Sequence, residues 1–223
     1  MGEHALESAP IQIDLVADLA CPWCFLGLVR LDRARAMRPD WPVRVRWRPF
    51  FLNPHMPPEG MDRATYLRRK FGGNAREVYG RIEDSARADG VEFAFERMPR
   101  TPNTTLAHRL ILFAEERGAA DPVIRALFRA LFQEGRDVGR AEVLAAVAEE
   151  AGLKREEVSE FLSGDRLTRE VLAAHQEAGR IGIQGVPVFI VDREHAITGA
   201  QPPEIVADLL DVAMAARRAP AMS

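Results

Sequence analysis

Thiol chemistry in this chain of 223 residues is confined to two cysteines, and no other strongly marked feature competes with them. No stretch approaches the roughly 18 uninterrupted apolar residues of a membrane span. Met1 to Pro10 contains Glu3 and Glu7 but neither a basic n-region nor an apolar h-region, so the expected location is cytoplasmic. In that reducing compartment a structural disulfide is disfavoured, which leaves redox chemistry or a metal for the cysteine pair. A closed zinc site needs four ligands, and the five histidines (His4, His55, His108, His175 and His195) include no His-x3-5-His pair to complete one, so no metal is expected. The net charge of −3 gives no long-range attraction for nucleic acid, although Arg44, Arg46 and Arg48 cluster locally. No internal repeat and no low-complexity stretch is present.

What is there reads as a soluble globular chain. A hydrophobic content of 47% against 28% charged residues leaves ample core material and excludes extended disorder. The length exceeds one small domain and falls short of two full ones, so one domain carrying an insertion is the economical arrangement. Ile11, Ile13, Leu15 and Ala17 alternate with Gln12, Asp14, Val16 and Asp18, which predicts a central strand with one strongly apolar face. Phe25, Leu28 and Leu31 have helical spacing up to a stop at Pro39. Val43, Val45 and Trp47 alternate with Arg44, Arg46 and Arg48, predicting a second strand that ends at Pro49; strand, helix, strand is a parallel crossover.

From Asn53 to Gly60 the prolines mark a loop, and helical signals follow. Asp62 caps a helix to Phe71; Gly72-Gly73-Asn74 breaks it, and a second helix runs from Arg76 to Ala88. Val91 to Phe95 is predicted extended. Asn103 or Thr104 caps Leu106 to Arg117, and Asp121-Pro122 predicts a helix with proline at its first position. Further helices are expected at Arg140 to Ala151 and Arg155 to Leu162. No convincing strand pair falls in residues 62–164, which therefore read as a helical insertion. A helix at Asp165 to Ile181, a hairpin of Val188 to Asp192 and Ala196 to Thr198, and a last helix at Glu204 to Ala216 complete the chain, with a patternless tail from Arg217.

Cys21-Pro22-Trp23-Cys24 sits between the first strand and its helix. That junction puts Cys21 at a helix N-terminus, where unpaired N–H groups and the positive dipole end favour an anion, and thiols so placed ionise more readily than free cysteine. Cys24 lies one turn on, within reach of a mixed disulfide formed on Cys21. Cys21 is the expected nucleophile and the more exposed sulfur; Cys24 is the expected buried resolving thiol. Two inert core cysteines are the alternative.

Strand, Cys-x-x-Cys helix, strand, crossover helix, hairpin and terminal helix is the element order of the thioredoxin fold. With a helical block before the last crossover helix, the chain resembles the DsbA family, and Cys-Pro-Trp-Cys-Phe-Leu-Gly is similar to its FrnE-type branch. Asn103-Thr104-Thr105-Leu106-Ala107-His108-Arg109-Leu110 and Gly182-Ile183-Gln184-Gly185-Val186-Pro187-Val188-Phe189, then Gly199-Ala200-Gln201, agree with that branch. The resemblance implies an α/β thioredoxin fold with a large all-helical insertion: residues 10–61 and 165–218 as a discontinuous thioredoxin-like domain, residues 62–164 as the inserted helical domain. It implies a thiol-disulfide oxidoreductase or isomerase cycling between dithiol and a Cys21–Cys24 disulfide, with no other cofactor, acting on a disulfide- or thiol-bearing protein or small molecule. It further implies a cis Val186–Pro187 peptide facing Cys21, against the alternative that Pro187 is an ordinary strand-entry proline.

The same branch is similar to kappa-class glutathione transferases and 2-hydroxychromene-2-carboxylate isomerases, which makes glutathione a possible co-substrate. Those relatives usually have serine where Cys21 stands and lack the second cysteine. A chaperone module that only holds chains in the cleft is a third reading. Among candidate substrate contacts, Pro22 and Trp23 either tune the thiolate or, for Trp23, offer a surface aromatic; Asn103 lines the cleft or serves only as an N-cap; His108 lines the cleft or is a satisfied helix-face histidine. The position six before Cys21, where the family often places an acid, holds Leu15. Asp18 either hydrogen-bonds the loop or, as preferred here, is solvated; His175 and Arg180 are expected to be solvated. Phe50, Phe51, Leu52, Met56 and Phe71 form either a hydrophobic lip or, as preferred here, ordinary packing between lobes.

Overall fold

The computed structural model describes residues 9–218. Strands β1 (Ile11–Ala17) and β2 (Val43–Pro49) flank helix α1 (Pro22–Ala36). After a two-residue strand, β3 (Met61–Asp62), come α2 (Arg63–Phe71) and α3 (Ala75–Arg87), joined by a 3-10 turn at Gly72–Asn74. Then follow β4 (Arg100–Thr101), α4 (Thr105–Glu115), α5 (Ala120–Phe132), α6 (Ala141–Glu150) and α7 (Arg155–Ser163). The chain returns through α8 (Thr168–Arg180), the hairpin β5 (Val188–Val191) and β6 (His195–Thr198), and α9 (Pro203–Arg218).

The main sheet has the order β2-β1-β5-β6, with β1 parallel to β2 and antiparallel to β5. β1 is central, and both of its faces are covered rather than one. Ile11, Ile13 and Leu15 lie in the principal core, whereas Val16 packs with Phe50, Ala178 and Val188 beneath α8. Asp14, on that second face, is tolerated because the strand register sets it opposite Arg46, whose guanidinium meets both carboxylate oxygens at 2.7 and 2.9 Å.

The helical block is fastened to α1 by aromatic stacking. Phe25 of α1 stacks on Phe128 of α5, with ring centroids 5.3 Å apart and planes 8° from parallel, and one buried cluster runs from β1 through α1 into α4, α5, α6 and α7. Three local expectations are corrected. Met61–Asp62 and Arg100–Thr101 do pair as antiparallel strands, at the start of and within the region read as purely helical; two-residue strands carry no periodicity to detect. Val91 to Phe95 forms no strand, and Phe95 opens a 3-10 turn with its ring 4.7 Å from that of Phe93. α5 begins at Ala120, so Pro122 is its third residue, a position whose missing N–H would have had no intrahelical partner anyway.

The end of α9 also differs from expectation. It continues through Arg218, and Arg217 donates to both carboxylate oxygens of Asp192 and to the carbonyls of Ala9 and Pro10, which ties the hairpin and both ends of the described chain together. The rest of the predicted tail, and Met1 to Ser8, lie outside the described residues.

Phe128 is fully buried against Phe25 and Trp47, so Phe128→Ala should cost about 3–5 kcal/mol in chemical denaturation. A loss below about 1 kcal/mol would mean that this stack does not bind the helical block to the sheet.

Candidate active site

The turn Asp18-Leu19-Ala20 carries the chain from the end of β1 into α1. The Cys21 N–H bonds the Asp18 carbonyl at 3.1 Å, and Cys21 is the N-cap of α1, with extended backbone (φ −102°, ψ 110°) and Pro22 at the helix start. Its carbonyl accepts the Cys24 N–H at 3.0 Å, the first bond of the helix. Proline suits that first turn because its absent N–H is one of those with no partner.

Cys21 is 4% exposed and Cys24 0%, so the nucleophile candidate is the outer sulfur by a narrow margin. Burial pushes the Cys24 thiol well above the usual thiol range; the adjoining Cys21 sulfur, by hydrogen bond and by charge, and the Asp18 carboxylate push it further, while the Asp18 main-chain N–H acts in the opposite sense.

Opposite Cys21 stands the 186–187 loop. The Val186–Pro187 peptide is cis, and the Cys21 thiol donates to the Val186 carbonyl at 3.7 Å. Gly27 makes this approach possible. A Cβ there would lie 3.1 Å from Pro187 Cγ and 3.2 Å from the Phe189 ring, so a larger side chain on α1 would push the proline loop away from the cysteines. Cys21, Cys24, Pro22, Val186 and Pro187 thus converge on one spot, with Trp23, half-buried, beside them.

The structure moves three other candidates. Asn103 is committed at both ends of its amide, Nδ2 donating to the Met56 carbonyl at 2.8 Å and Oδ1 accepting the Thr105 N–H at 2.9 Å; it fastens the proline-rich loop to the start of α4. His108 has no exposed surface and cannot line a cleft. The Trp47 indole N–H donates to His108 Nδ1 at 3.0 Å, and because that N–H can only donate, Nδ1 keeps its lone pair and Nε2 bears the hydrogen. Nε2 then points at the Phe50 carbonyl (3.2 Å) and the Asp18 carboxylate (3.4 Å).

Asp18 is 1% exposed, not solvated. Its carboxylate accepts the Leu52 N–H at 2.8 Å and the Ala20 N–H at 3.2 Å, besides facing His108. Burial would raise its carboxyl, yet His108, Leu52 and Ala20 outweigh burial and hold it below the usual carboxylate range. Leu15, where the family often has an acid, is plain core.

His175 is also drawn in: its Nδ1 accepts the Phe51 N–H at 3.3 Å, and its ring meets Phe50 and Phe51 edge-on at 5.0 and 5.2 Å. Phe50, Phe51 and Met56 are buried packing, and Arg180 is exposed and paired with Glu177. The sequence reading had Gly27 in its motif and Trp47 in a strand but gave neither a role at the site. A glycine inside an otherwise helix-forming run was the available signal for Gly27.

Comparison with known proteins matches residues 12–211 to the DSBA-like thioredoxin domain. The chain belongs to the DsbA-like thioredoxin family. A probable DsbA oxidoreductase from Streptomyces coelicolor shares 31% identity with this family member and superposes with a TM-score of 0.82, over 96% of this chain and 93% of that one. The uncharacterised protein YwbO of Bacillus subtilis is 29% identical over 185 residues, 81% of this chain and 86% of its own. The cytosolic disulfide reductase DsbM of Pseudomonas aeruginosa, in a structure with GSH, shares the DsbA-like fold at 20% identity with a TM-score of 0.65, covering 90% of this chain and 98% of DsbM.

Two measurements probe this geometry. Gly27→Val should destabilise by about 1–3 kcal/mol through overpacking, more than the few tenths of a kcal/mol that valine gains over glycine in a helix interior, and should reduce thiol reactivity. Unchanged stability and reactivity would mean that Pro187 is not held against α1. Burial of the His175 ring depresses its folded pKa below the unfolded 6.5, against the opposing attraction of the Asp18 carboxylate. The unfolded chain therefore binds the extra proton first, and stability is present above the unfolded value and lost as pH falls through the folded one. Denaturation midpoints should drop as pH falls below about 6.5, and less so in His175→Gln; parallel losses would contradict the assignment.

Proposed function

We propose that this protein is a thiol-disulfide oxidoreductase whose working group is the Cys21–Cys24 pair. The observation that carries the reading is the placement of Cys21 Sγ at the N-terminus of α1, 3.7 Å from the Val186 carbonyl, with a fully buried partner cysteine three residues along the helix.

Cys21, as thiolate, attacks one sulfur of a substrate disulfide. A Cys21–substrate bond forms, the substrate S–S bond breaks, and the released sulfur leaves with the electron pair and takes a proton. Cys24 then attacks Cys21: the Cys21–Cys24 bond forms, the second substrate sulfur departs, and the proton lost by Cys24 balances the one that sulfur gains. The substrate is reduced by two electrons and the enzyme pair oxidised by two. Val186, whose carbonyl faces the thiol, and the flanking Pro187, Pro22 and Trp23 form the substrate-facing rim in this reading.

Return to the dithiol needs an external thiol. Glutathione fits that role in a cytoplasmic setting, which we also assign, and the DsbA-like fold is shared with a cytosolic reductase whose structure holds GSH. Run in reverse with an oxidised pair, the same steps introduce a disulfide. The reduction potential of the pair decides which direction dominates.

Cys21→Ser should lower the rate of disulfide reduction on a protein or chromogenic disulfide by roughly 10²-fold or more, whereas Cys24→Ser should retain the first attack and accumulate a mixed disulfide visible by intact mass. Undiminished turnover in Cys21→Ser would refute the mechanism.

A further inference from the structure

One guanidinium joins three parts of the chain. Arg30 lies on α1 one turn beyond Gly27, on the helix face that meets the proline loop, and its side chain is only 12% exposed. Each of its three nitrogens is used. Nε donates to Asp89 Oδ2 at 2.7 Å, Nη2 to the Ser85 hydroxyl at 2.9 Å and to the Ser85 carbonyl at 3.2 Å, and Nη1 to the Ala200 carbonyl at 2.6 Å. Ser85 belongs to the last turn of α3, in the helical block, and Asp89 follows that helix. Ala200 belongs to the turn between β6 and α9.

That turn is bonded to the proline loop. With Gly199 in the left-handed region (φ +77°), its N–H donates to the Pro187 carbonyl at 2.8 Å. Gln201 closes the turn, its main-chain N–H on the Gly199 carbonyl at 3.0 Å and its side-chain amide on the Thr198 carbonyl at 2.7 Å. One peptide before Pro187, the Val186 carbonyl receives the Cys21 thiol at 3.7 Å. A continuous path therefore runs from Asp89 through Arg30, Ala200, Gly199 and Pro187 to Val186, and every link in it is a hydrogen bond or a peptide bond. Its far end is firm, because the Asp89 carboxylate is 5% exposed and also meets Arg33 Nη1 at 2.8 Å.

We propose that Arg30 is a positioning residue for substrate capture: by holding the turn at Gly199 to Gln201 it fixes the proline loop at the distance from Cys21 that a disulfide-bearing peptide needs in order to lie along the Val186–Pro187 backbone. The inference rests on the thiol-disulfide reading above and names the residue through which the helical block sets that substrate contact. Arg30 sits about 13 Å along α1 from Cys21 and takes no part in the sulfur exchange. Its loss should loosen the loop while leaving the cysteines where the first turn of α1 puts them. A peptide that needs the loop should then suffer more than a small disulfide that needs only the sulfur.

Arg30→Met keeps the aliphatic stem and removes every donor. Amide exchange followed by NMR should show the Gly199 N–H exchanging about tenfold faster or more, with the amides of β1 unchanged. With a disulfide-bonded peptide as substrate, KM should rise roughly tenfold and kcat stay within about twofold, as when an interaction common to ground and transition states is removed. Unlike Gly27→Val, the change forces nothing into the first turn of α1, so kcat/KM for a small aryl disulfide should stay within about twofold. Arg33→Met, which takes the other guanidinium from Asp89 and leaves Arg30 in place, should move none of these. An unmoved Gly199 amide or an unmoved KM overturns the proposal. So does an equal loss on the peptide and the aryl disulfide, the mark of general loosening, and so do the same shifts in Arg33→Met.

If Arg30→Met does not fold, Arg30→Lys keeps a cation facing Asp89, but its single ammonium cannot fork to Asp89, Ser85 and Ala200 together, and the same comparison decides. Amide exchange is read without turnover. A wild-type protein that reduces neither substrate therefore refutes the thiol-disulfide reading, whereas an unmoved Gly199 amide in a folded variant refutes the assignment of Arg30.

Discussion

A carboxylate taken out of water must be given donors or it will take a proton, and the centre of this molecule is arranged around one such carboxylate. Asp18 draws in the amide of Leu52 from the segment after β2, the amide of Ala20 from its own turn, and the imidazole of His108 from α4. Each donor belongs to a different part of the chain. Satisfying one charge therefore fixes the path of the loop after β2, the seating of α4 on the sheet and the conformation of the turn from which Cys21 emerges. Trp47, through its hydrogen bond to His108, carries the constraint back into β2.

Around that centre the cysteines are positioned by close approach. Gly27 leaves room on α1 for Pro187 and Phe189, which brings the Val186 carbonyl to the Cys21 thiol, and the Phe25 to Phe128 stack braces the opposite side of the same helix against the helical block. The first turn of α1 is thus gripped between the proline loop and the helical block. Gripping of this kind keeps two sulfurs in register without relying on the short Cys-Pro-Trp-Cys segment to be stiff by itself.

Much of this was legible in the sequence because it is periodic or punctuated. The alternation in β1 and β2, the Asp62 cap, the Gly72-Gly73 break and the glycines after the later helices are local signals, and the elements follow them within a residue or two. The Cys-x-x-Cys at a strand-to-helix junction and the distant Val186-Pro187 were legible through family likeness. Asp18 and His108 were not, because their burial depends on partners at Leu52 and Trp47 that are remote in the chain, and an aspartate beside a turn ordinarily looks solvated. Asn103 accepts the Thr105 N–H at the start of α4, in line with its N-cap reading, while its amide nitrogen bonds Met56, which only the fold brings near. The ladder of β3 with β4 escaped because two residues per strand make no pattern.

The central strand has a consequence for how the chain is made. β1 is synthesised first, yet its antiparallel neighbour β5 and the Asp192 side chain that meets the Gln12 amide arrive 180 positions later, and the Arg217 clamp on Ala9 later still, at a separation of 208. One edge of the central strand therefore waits unpaired until β5 has been made, and the sheet closes only after the helical block has left the ribosome. Such long-range closure is slow and leaves the nascent strand open to wrong pairing, so the helical block, built of local contacts, is the part able to form early and shelter it.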